Sequence, residues 1–289
     1  MEDTSMNKNH HLTAVIESGA KVADDANLGC FVQICAAASV GNNAIVAGLV
    51  IVPPHVHIGA HSRIGAGVCF VTPVAEEKPT VIGNNAIIGE HAIINAGVSI
   101  GDDAVIAPLT FIQRSIPTMA IVEGSPAKII GYVGAISNAV TENSSVNEPV
   151  QESNVSGVRL HHMHRVVDIR GNLTVGEFDR SIPFQPKRYF IVYDVPSMET
   201  RGEHAHRVCH QYLICVRGSC AVVADDGHHR QEFLLNRPDI GLHLPPMVWG
   251  IQYKYSADAV LLVYASHYYD GADYIRNYAE FRQLVRSAT

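Results

Sequence analysis

The stretch VIGNNAIIGEHAIINAGVSIGDDAVI, residues 81–106, carries an aliphatic residue at every sixth position. The repeated residues of this stretch are Ile82, Ile88, Ile94, Ile100 and Ile106. The same phase extends over residues 16–112 and is broken only at Glu76. A period of six fits neither an α-helix, with about 3.6 residues per turn, nor a flat strand, with about two. It predicts a β-helix with about three hexads in each triangular coil, in which stacked coils bury the aliphatic side chains.

Two segments break the period and divide the chain. The first, VTPVAEEKPT at residues 71–80, carries two prolines and three charged residues and predicts a projecting loop. Insertions of this kind commonly lie on the binding face of a solenoid. The second, at residues 135–156, is rich in Ser, Asn and Glu without an apolar period, which predicts a flexible linker. We therefore expect a repeat domain over residues 1–134 and a second domain over residues 157–289.

The second domain follows a different pattern. Short runs rich in Val, Ile, Tyr and Leu alternate with Gly, Pro and Asp turns, for example at residues 188–195, 211–216 and 259–265. Short strands at this spacing predict a compact barrel or jelly roll. Apolar residues at helical spacing over residues 274–285 predict a terminal helix. The predicted fold class is therefore mainly β.

Charge and composition exclude several classes of partner. The formal net charge is −7 and no block of basic residues occurs, so nucleic acid is not an expected partner. No apolar run approaches the ~20 residues that a membrane span requires. Residues 1–11 lack the basic start and apolar core of a signal peptide. The six cysteines have no paired spacing, which indicates reduced thiols in a cytoplasmic protein.

The hexads resemble those of the hexapeptide-repeat acyltransferases, whose fold is a left-handed parallel β-helix. The resemblance covers residues 12–134, and residues 81–106 resemble the active-site coil of the members that use acetyl-CoA. It implies that His91 is the base that deprotonates the acceptor, a role that suits imidazole because it titrates near neutral pH. The implied acceptor contacts are Asn84, Asn85 and Glu90. The implied coenzyme A contacts are Ala107 and, from the segment EGSPAKII, Gly124, Ser125, Pro126 and Lys128.

Two alternatives to this assignment stay open in the sequence. His91 occupies an outward, polar position of its hexad and can be a surface histidine without a task. A zinc site is the other alternative, because HVHIGAHSRIG supplies His55, His57 and His61. Zinc needs at least three protein ligands and a water. The gamma-type carbonic anhydrases place a further histidine where this chain has Ala96, so we predict no metal in the repeat domain.

Two motifs characterise the second domain, RGEHAHRVCHQ at residues 201–211 and YYDGADYIRNY at residues 268–278. They resemble the FdtA-like or WxcM-like sugar 3,4-ketoisomerases, which are small cupins, and the resemblance extends over residues 158–285. These enzymes move the carbonyl of dTDP-4-keto-6-deoxyglucose from C4 to C3 through an enediol. The resemblance therefore implies a C-terminal cupin barrel that binds a dTDP-linked keto sugar.

The histidine pair of the first motif has two candidate roles. Metal cupins follow such a pair with a Glu and with a third His on a later strand. Here His210 or Gln211 takes the place of the Glu, and Trp249 lies where the third His would fall. Two ligands do not make a stable site. We therefore predict no metal and interpret His204 and His206 as acid–base residues, with His204 as the base and His206 shuttling protons or holding the base.

The candidates for substrate contacts in this domain are Arg170, Arg188, Arg201, His210 and Trp249. Arginines suit a diphosphate or a keto oxygen, although each can equally form a surface salt bridge. Trp249 is either a platform for thymine or a core residue. Phe190 stands where some relatives have Tyr, which leaves the acid unassigned. By resemblance, Arg170 favours the galacto configuration, whereas Gly250 matches neither expected pattern.

Together the resemblances imply a bifunctional enzyme for dTDP-3-acetamido-3,6-dideoxyhexose, a precursor of bacterial surface polysaccharide such as the lipopolysaccharide O-antigen. The cupin would isomerise the keto sugar, a separate aminotransferase would add the amine, and the β-helix would acetylate it from acetyl-CoA. The alternative is a cupin that only binds a nucleotide sugar on a trimeric acyltransferase scaffold. Hexapeptide acyltransferases generally trimerise and these cupins dimerise, so we expect a homotrimer or a hexamer of two trimers.

Overall fold

The computed structural model describes residues 9–72, 78–138, 149–196 and 199–288. The chain divides into two compact units, residues 1–133 and 134–289. Both units consist mainly of β-strands, which confirms the predicted fold class. Within the described ranges, every helix is too short or too polar to cross a lipid bilayer.

The first unit is a parallel β-solenoid with three faces. Its coil strands are β1 (Val15–Ile16), β2 (Lys21–Val22), β3 (Asn27–Leu28), β4 (Gln33–Ile34), β5 (Ser39–Val40), β6 (Ile45–Val46), β7 (Ile51–Val52), β8 (Val56–Ile58), β9 (Arg63–Ile64), β10 (Cys69–Phe70), β11 (Thr80–Ile82), β12 (Ile87–Ile88), β13 (Ile93–Ile94), β14 (Ser99–Ile100), β15 (Val105–Ile106) and β16 (Phe111–Ile112). Face 1 contains β1, β4, β7, β10, β13 and β16, and face 2 contains β2, β5, β8, β11 and β14. Face 3 contains β3, β6, β9, β12 and β15, followed by β17 (Ala120–Glu123) and β18 (Lys128–Tyr132).

The strand register shows how the hexads build the coils. Ile16 pairs with Ile34, so one coil takes 18 residues, or three hexads. Phe70 pairs with Ile94 across the interrupting loop, which adds one hexad to that coil. Ile34 and Ile94 are completely buried, as predicted for the repeated position. The phase break at Glu76 lies outside the described residues.

The edge between face 3 and face 1, here called the His91 edge, positions one candidate site. It carries one residue per coil in the left-handed region, with φ between 55° and 66°: Phe31, Leu49, Gly67, His91 and Leu109. The amides of the last four donate to a carbonyl of the preceding coil, as His91 does to Ala66 at 3.0 Å and Leu109 to Glu90 at 3.0 Å, and the Phe31 amide donates to the Thr13 hydroxyl at 2.8 Å. The backbone ladder therefore fixes the height of every residue on this edge. After the last coil, the antiparallel pair of β17 and β18 closes the solenoid.

The second unit consists of two sheets, antiparallel except for the parallel pair of β19 and β28, and a projecting hairpin. Its strands are β19 (Ile136–Asn138), β20 (Val150–Glu152), β21 (Arg159–His162), β22 (His164–Asp168), β23 (Gly171–Val175), β24 (Arg188–Tyr193), β25 (Arg201–His206), β26 (Gln211–Arg217), β27 (Cys220–Asp225), β28 (Arg230–Leu235), β29 (Ile240–Leu244), β30 (Trp249–Tyr253), β31 (Val260–Ala265) and β32 (Tyr274–Ile275). One sheet has the order β19-β28-β27-β30-β25-β32 and the other β20-β21-β29-β26-β31-β24, while β22 and β23 form the hairpin. Leu213, Val222 and Leu261 belong to the apolar core of this unit, and the arrangement confirms the predicted cupin barrel.

The terminal helix α1 spans Tyr278–Ala288, so the predicted start at residue 274 is wrong. Tyr274 instead begins β32, which pairs with β25. The helix starts after Asn277, whose side-chain oxygen accepts the amide of Glu280 at 2.9 Å. This is the hydrogen bond of an N-terminal cap, and it places the first turn after residue 277.

The predicted flexible linker differs from the structure at both of its ends. Residues 136–138 form β19, which pairs with β28, and residues 150–152 form β20, which pairs with β21. Asn154 also donates its amide to Gln231 at 3.0 Å. Sheet pairing therefore holds these ends to the second unit, although their polar composition predicts a tether. Residues 139–148 of the linker lie outside the described residues.

Candidate active sites

A pocket in the second unit opens between β25, β26 and β30. Its polar lining comes from His204, His206, Cys209, Gln211 and Gln252. Leu244, Pro245, Val248 and Gly250 complete the wall. The two predicted acid–base histidines thus lie in one pocket, as expected for residues two positions apart on a strand.

His204 lines this pocket, and one of its ring nitrogens has no hydrogen-bond partner among the described residues. Its Nδ1 lies 2.8 Å from the carbonyl oxygen of Gly202, so Nδ1 carries the proton and Nε2 keeps its lone pair. Gly202 and Glu203 have positive φ, and the strand register shifts between Gly202 and His204. Such a bulge re-aims a side chain. Burial lowers the pKa of His204 to about 4, so its imidazole is neutral near pH 7.

Both ring nitrogens of His206 have partners. Nδ1 lies 2.6 Å from a carboxylate oxygen of Asp273, and Nε2 lies 3.0 Å from the amide nitrogen of Gln211. Burial lowers the pKa of His206, and the hydrogen bond to Asp273 opposes that shift. The rings of His204 and His206 meet edge to face, with centroids 4.9 Å apart. His206 is therefore held in place beside a histidine that is open to a ligand.

Aromatic and cationic residues surround the pair. The ring of Tyr274 lies 4.9 Å from His204 and 4.3 Å from His206. The Arg188 guanidinium donates to the Tyr274 hydroxyl at 3.3 Å, and that of Arg276 lies 4.3 Å above the Tyr274 ring. The two arginines place positive charge near the histidine pair, and this charge acts to lower the pKa of His206.

Sequence reasoning did not single out Asp273, Tyr274 or Arg276. All three belong to YYDGADYIRNY, whose likeness to the ketoisomerases was evident, but no role could be attached to its individual residues. Their proximity to the histidines depends on the pairing of His206 with Tyr274, which are far apart in the chain. The signal was therefore present as a motif, and the contact is a product of the tertiary structure.

The other predicted substrate contacts do not line the pocket. Trp249 is only 5% exposed and packs against Tyr278 and Phe281 of α1, which is the core alternative. His210 stacks on His243, with Nδ1 and Nε2 3.0 Å apart.

Two arginines also lie apart from the pocket lining. Arg170 lies at the turn of the β22–β23 hairpin, with 85% of its side chain exposed, and forms an ion pair with Asp168 at 2.6 Å. Arg201 is exposed at the start of β25. Of the three arginines predicted from sequence, the structure brings Arg188 close to the histidine pair.

In the first unit, His91 is exposed and its ring covers Gly67 of the preceding coil. A Cβ atom built on Gly67 would lie 2.5 Å from His91 Nδ1. On the following coils, Ala107 donates its amide to Val122 at 2.8 Å, and the carbonyl of Gly124 accepts the Phe111 amide at 3.3 Å. The predicted coenzyme A residues Ala107 and Gly124 thus lie on the part of the solenoid that follows the coil of His91.

The remaining residues of that segment lie in and after the turn between β17 and β18. Ser125 and Pro126 belong to the turn, and Lys128 begins β18.

Asn84 and Asn85 lie on a different edge, between faces 2 and 3. The side-chain oxygen of Asn84 accepts the backbone amide of Ala60 at 2.9 Å. The backbone amide of Asn84 donates to the carboxylate of Asp102 at 2.6 Å. Strand β12 separates this edge from the exposed Glu90 and His91. Within one chain, the structure therefore does not bring the asparagines to His91.

Exposed apolar side chains surround the His91 edge. On the edge itself, Phe31, Leu49 and Leu109 are 63%, 65% and 72% exposed. The outward residues of the two adjoining faces include Val15, Ile51 and Ile93 on face 1 and Ile45 and Ile87 on face 3, all exposed. Face 2 instead presents Lys21, Ser39, His57 and Ser99, together with the half-buried Val81. Apolar surface of this extent commonly marks a protein interface.

One group of side chains in the described part of the chain is close enough to share a metal ion, namely His206, Cys209 and Asp273. Its His206 and Asp273 atoms form the 2.6 Å hydrogen bond described above, so a proton occupies the position between them. In the first unit, His57 Nδ1 lies 2.8 Å from the hydroxyl of Ser39.

Family models match both units. The WxcM-like, C-terminal model (FdtA) matches residues 156–286, and the bacterial transferase hexapeptide model (six repeats) matches residues 79–114. The TDP-4-oxo-6-deoxy-α-D-glucose-3,4-oxoisomerase of Aneurinibacillus thermoaerophilus is 42% identical over 127 residues, which cover 44% of this chain and 91% of that protein.

A solved 3,4-ketoisomerase from Helicobacter canadensis is 38% identical, covers 45% of this chain and 98% of its own, and superposes with a TM-score of 0.44. The 2,3,4,5-tetrahydropyridine-2,6-dicarboxylate N-acetyltransferase of Staphylococcus aureus is 32% identical over 91 residues. This match spans 30% of the present chain and 35% of the acetyltransferase.

Proposed function

The chain belongs to the FdtA family of WxcM-like proteins and carries a bacterial-transferase hexapeptide region before the matching domain, and on this premise we propose that it is a bifunctional enzyme of nucleotide-sugar synthesis. Its second unit isomerises dTDP-4-keto-6-deoxyglucose to the 3-keto sugar. Its first unit acetylates the derived dTDP-3-amino-3,6-dideoxy sugar from acetyl-CoA. A separate aminotransferase acts between the two steps.

The observation that carries the isomerase proposal is that Nε2 of the pocket residue His204 has no hydrogen-bond partner in the described part of the chain. Isomerisation requires a base to take the proton from C3 and an acid to deliver one to C4. A neutral His204 takes the C3 proton and becomes an imidazolium, while the C4 oxygen gains the proton that the C3 hydroxyl releases over the reaction. The imidazolium then returns its proton to C4, which leaves the carbonyl at C3. Arg188 and Arg276 supply positive charge for the diphosphate or for the developing oxyanion. The protein's own side chains thus provide proton transfer and charge stabilisation.

Proton exchange distinguishes this enzyme from a module that only binds a nucleotide sugar. Incubation of the protein with dTDP-4-keto-6-deoxyglucose in heavy water should place deuterium at C3 and C4 of the sugar. Proton NMR measures this exchange as a loss of the C3 and C4 proton signals. His204→Asn should exchange far more slowly, whereas His229→Asn, at an exposed position, should match the wild-type chain. Binding without exchange by the wild-type chain would favour the alternative of a cupin that only binds the sugar.

The configuration of the product is a separate proposal. By resemblance, Arg170 favours the galacto series, which leads to 3-acetamido-3,6-dideoxygalactose as the final sugar. NMR coupling constants of the aminated product report the configuration at C4 directly. A gluco product would show that Arg170 does not determine the configuration in this chain.

The acetyltransferase proposal rests on the hexapeptide match and on the exposed His91, whose coil is followed by the segments that carry Ala107 and Gly124. His91 accepts the proton of the sugar amine, and the segment from Gly124 to Lys128 contacts coenzyme A. The apolar faces 1 and 3 meet at this edge, so we infer that a second copy of the chain covers them and completes the site in a trimer.

Two measurements test this proposal. Release of free coenzyme A in the presence of the dTDP-3-amino sugar should require His91 and should be absent with the 3-keto sugar. Light scattering should give a mass of three or six chains, and Leu109→Asp should lower that mass while face 2 variants such as Ser99→Asp should not. A monomeric wild-type chain would contradict the shared site.

A further inference from the structure

The carboxylate of Asp273 is held between two partners behind the pocket. One oxygen lies 2.6 Å from His206 Nδ1, and the other accepts the backbone amide of Val208 at 2.8 Å. Asp273 is 9% exposed and ends a short 3₁₀ turn, Gly271–Asp273, that Asp270 caps. Its backbone carbonyl also accepts the amide of Arg207 at 2.9 Å. The geometry therefore leaves this side chain little freedom.

This arrangement determines which nitrogen of His206 carries the proton. An ionised carboxylate only accepts hydrogen bonds, so the proton between the two groups lies on His206 Nδ1. Although burial acts to raise it, the hydrogen bonds from Val208 and His206 keep the pKa of Asp273 below its ordinary value. The neutral imidazole then has its lone pair on Nε2, and burial favours this neutral form by lowering the pKa of His206.

The tautomer of His206 in turn determines how Gln211 is oriented. Because Nε2 of His206 is an acceptor, the group facing it at 3.0 Å must be the amide NH₂ of Gln211. The amide oxygen of Gln211 is then available to the pocket, which Gln211 lines together with His204. A reversed tautomer would require the amide to turn round and present its NH₂ to the pocket instead.

We propose that Asp273 is a positioning residue that acts through His206 to hold the amide oxygen of Gln211 towards a sugar hydroxyl. The inference rests on the proposed isomerase function of this pocket. During isomerisation the C3 hydroxyl loses its proton as C3 becomes the carbonyl, and the C4 oxygen gains one as it becomes a hydroxyl. A hydrogen-bond acceptor on the pocket wall directs the proton of that hydroxyl towards the wall beside His204, whereas a donor there would direct the proton away from the wall.

Asp273→Asn tests this chain of hydrogen bonds with little change in shape. The Asn oxygen can still accept the Val208 amide, while its NH₂ faces His206 Nδ1. The proton of His206 should then move to Nε2 and the amide of Gln211 should turn. We expect kcat to fall by about 10²-fold, the scale of one positioned acid–base group, with a smaller change in KM.

A second substitution should rescue the first. In Asp273→Asn with Gln211→Glu, the carboxylate accepts the Nε2 proton of His206 and still presents an oxygen to the pocket. We expect this double variant to turn over about tenfold faster than Asp273→Asn alone, a partial return of the positioned group. Asp270→Asn is the matched control, because it removes a carboxylate from the same turn and Asn also caps well. It should react like the wild-type chain.

A spectroscopic readout separates this inference from the proposed function. Nitrogen-15 NMR of histidine-labelled protein should show His206 protonated at Nδ1 in the wild-type chain and at Nε2 in Asp273→Asn, whether or not the chain isomerises sugars. An unchanged tautomer, wild-type turnover in Asp273→Asn, or a double variant no faster than the single one would each overturn the proposal. If the wild-type chain shows the expected tautomer but no isomerisation, the proposed function fails by itself.

Gln211→Leu covers the case in which Asp273→Asn does not fold. It removes the acceptor from the wall but leaves the pair of Asp273 and His206 intact. We expect a similar loss in kcat with the wild-type tautomer of His206. Full turnover by Gln211→Leu would overturn the proposal, because the amide oxygen would then have no task.

Discussion

The histidines of the two units lie in opposite surroundings. His91 is exposed, and the coil ladder fixes its backbone through the hydrogen bond to Ala66. His204 and His206 lie in a pocket, where partners at 2.6 to 3.0 Å fix Nδ1 of His204 and both ring nitrogens of His206. A solenoid thus fixes where a side chain stands, whereas the barrel also fixes which atom carries the proton. The first kind of site has room for a neighbouring chain, and the second is assembled within one chain.

The largest expected effects are those of replacing His204 or His91, one in each unit, by alanine. His204→Ala should lower isomerisation by about 10²–10⁴-fold, the usual contribution of a positioned base, and leave acetylation unchanged. His91→Ala should do the reverse. Both reactions are measured on each purified variant with dTDP-4-keto-6-deoxyglucose and with the amino sugar. If either variant lost both activities, the two units would not act independently.

A second test compares the buried and outward positions of one solenoid strand. Ile100 is 1% exposed and Ser99 is its exposed neighbour. Ile100→Ala should lower the free energy of unfolding of the first unit by about 2–5 kcal/mol. Ser99→Ala should change it by less than about 0.5 kcal/mol. Circular dichroism recorded during a urea titration measures this change in the free energy of unfolding.

The single tryptophan supplies the control for that titration. Trp249 lies in the second unit, so its fluorescence transition should not move in Ile100→Ala. A shift of the fluorescence midpoint would show that the two units unfold together, which would weaken the contrast between them.

Acid should destabilise the barrel more than the solenoid. Burial lowers the pKa of His204 to about 4 and that of His243 to about 3, from 6.5 when unfolded. Below pH 6.5 the unfolded chain binds these protons and the folded chain does not, so stability falls as the pH falls. Each group contributes up to about 1.4 kcal/mol per pH unit until its folded pKa is reached.

The solenoid provides the comparison for acid. In the described residues of the first unit no histidine is buried. The melting temperature reported by tryptophan fluorescence should therefore fall between pH 7 and pH 5. This fall should be larger than that of a melting transition assigned to the first unit. Equal losses would mean that carboxylates, rather than buried histidines, dominate the response.

The smallest expected effect is that of chelation. We predict that neither site depends on a metal, so prolonged dialysis against EDTA should leave the isomerisation rate unchanged. The group of His206, Cys209 and Asp273 makes this worth measuring. Loss of activity that returned with zinc, iron or manganese would reassign His206 and Asp273 as ligands.

The hexad core could be predicted from sequence because burial there depends on position in a local repeat. Ile34 and Ile94 are buried by the coils that their own period builds. The start of α1 was missed although Asn277 and Glu280 are spaced as a cap, because Tyr274 continued the apolar spacing. The ends of the linker were missed because polar strands pair through their backbones.

The candidate catalytic residues could be predicted from sequence only where they lie within a recognisable motif. The pair of His204 and His206 was found because it lies within six residues of one strand. Its partner Asp273 could not be assigned, since the contact depends on β32 pairing with β25. Trp249 stayed ambiguous because a large aromatic residue suits both a ligand platform and a helix contact.

The close packing of His91 over Gly67 has a consequence for how such chains diverge. On the neighbouring coils, the position of Gly67 holds Phe31 and Leu49, so the fold itself accepts a side chain there. At Gly67 a single added methyl would displace the imidazole, because it would lie 2.5 Å from Nδ1. The two positions should therefore covary among descendants of a common ancestor. Lineages that keep histidine at 91 should keep glycine at 67, and those that lose one should be released to lose the other.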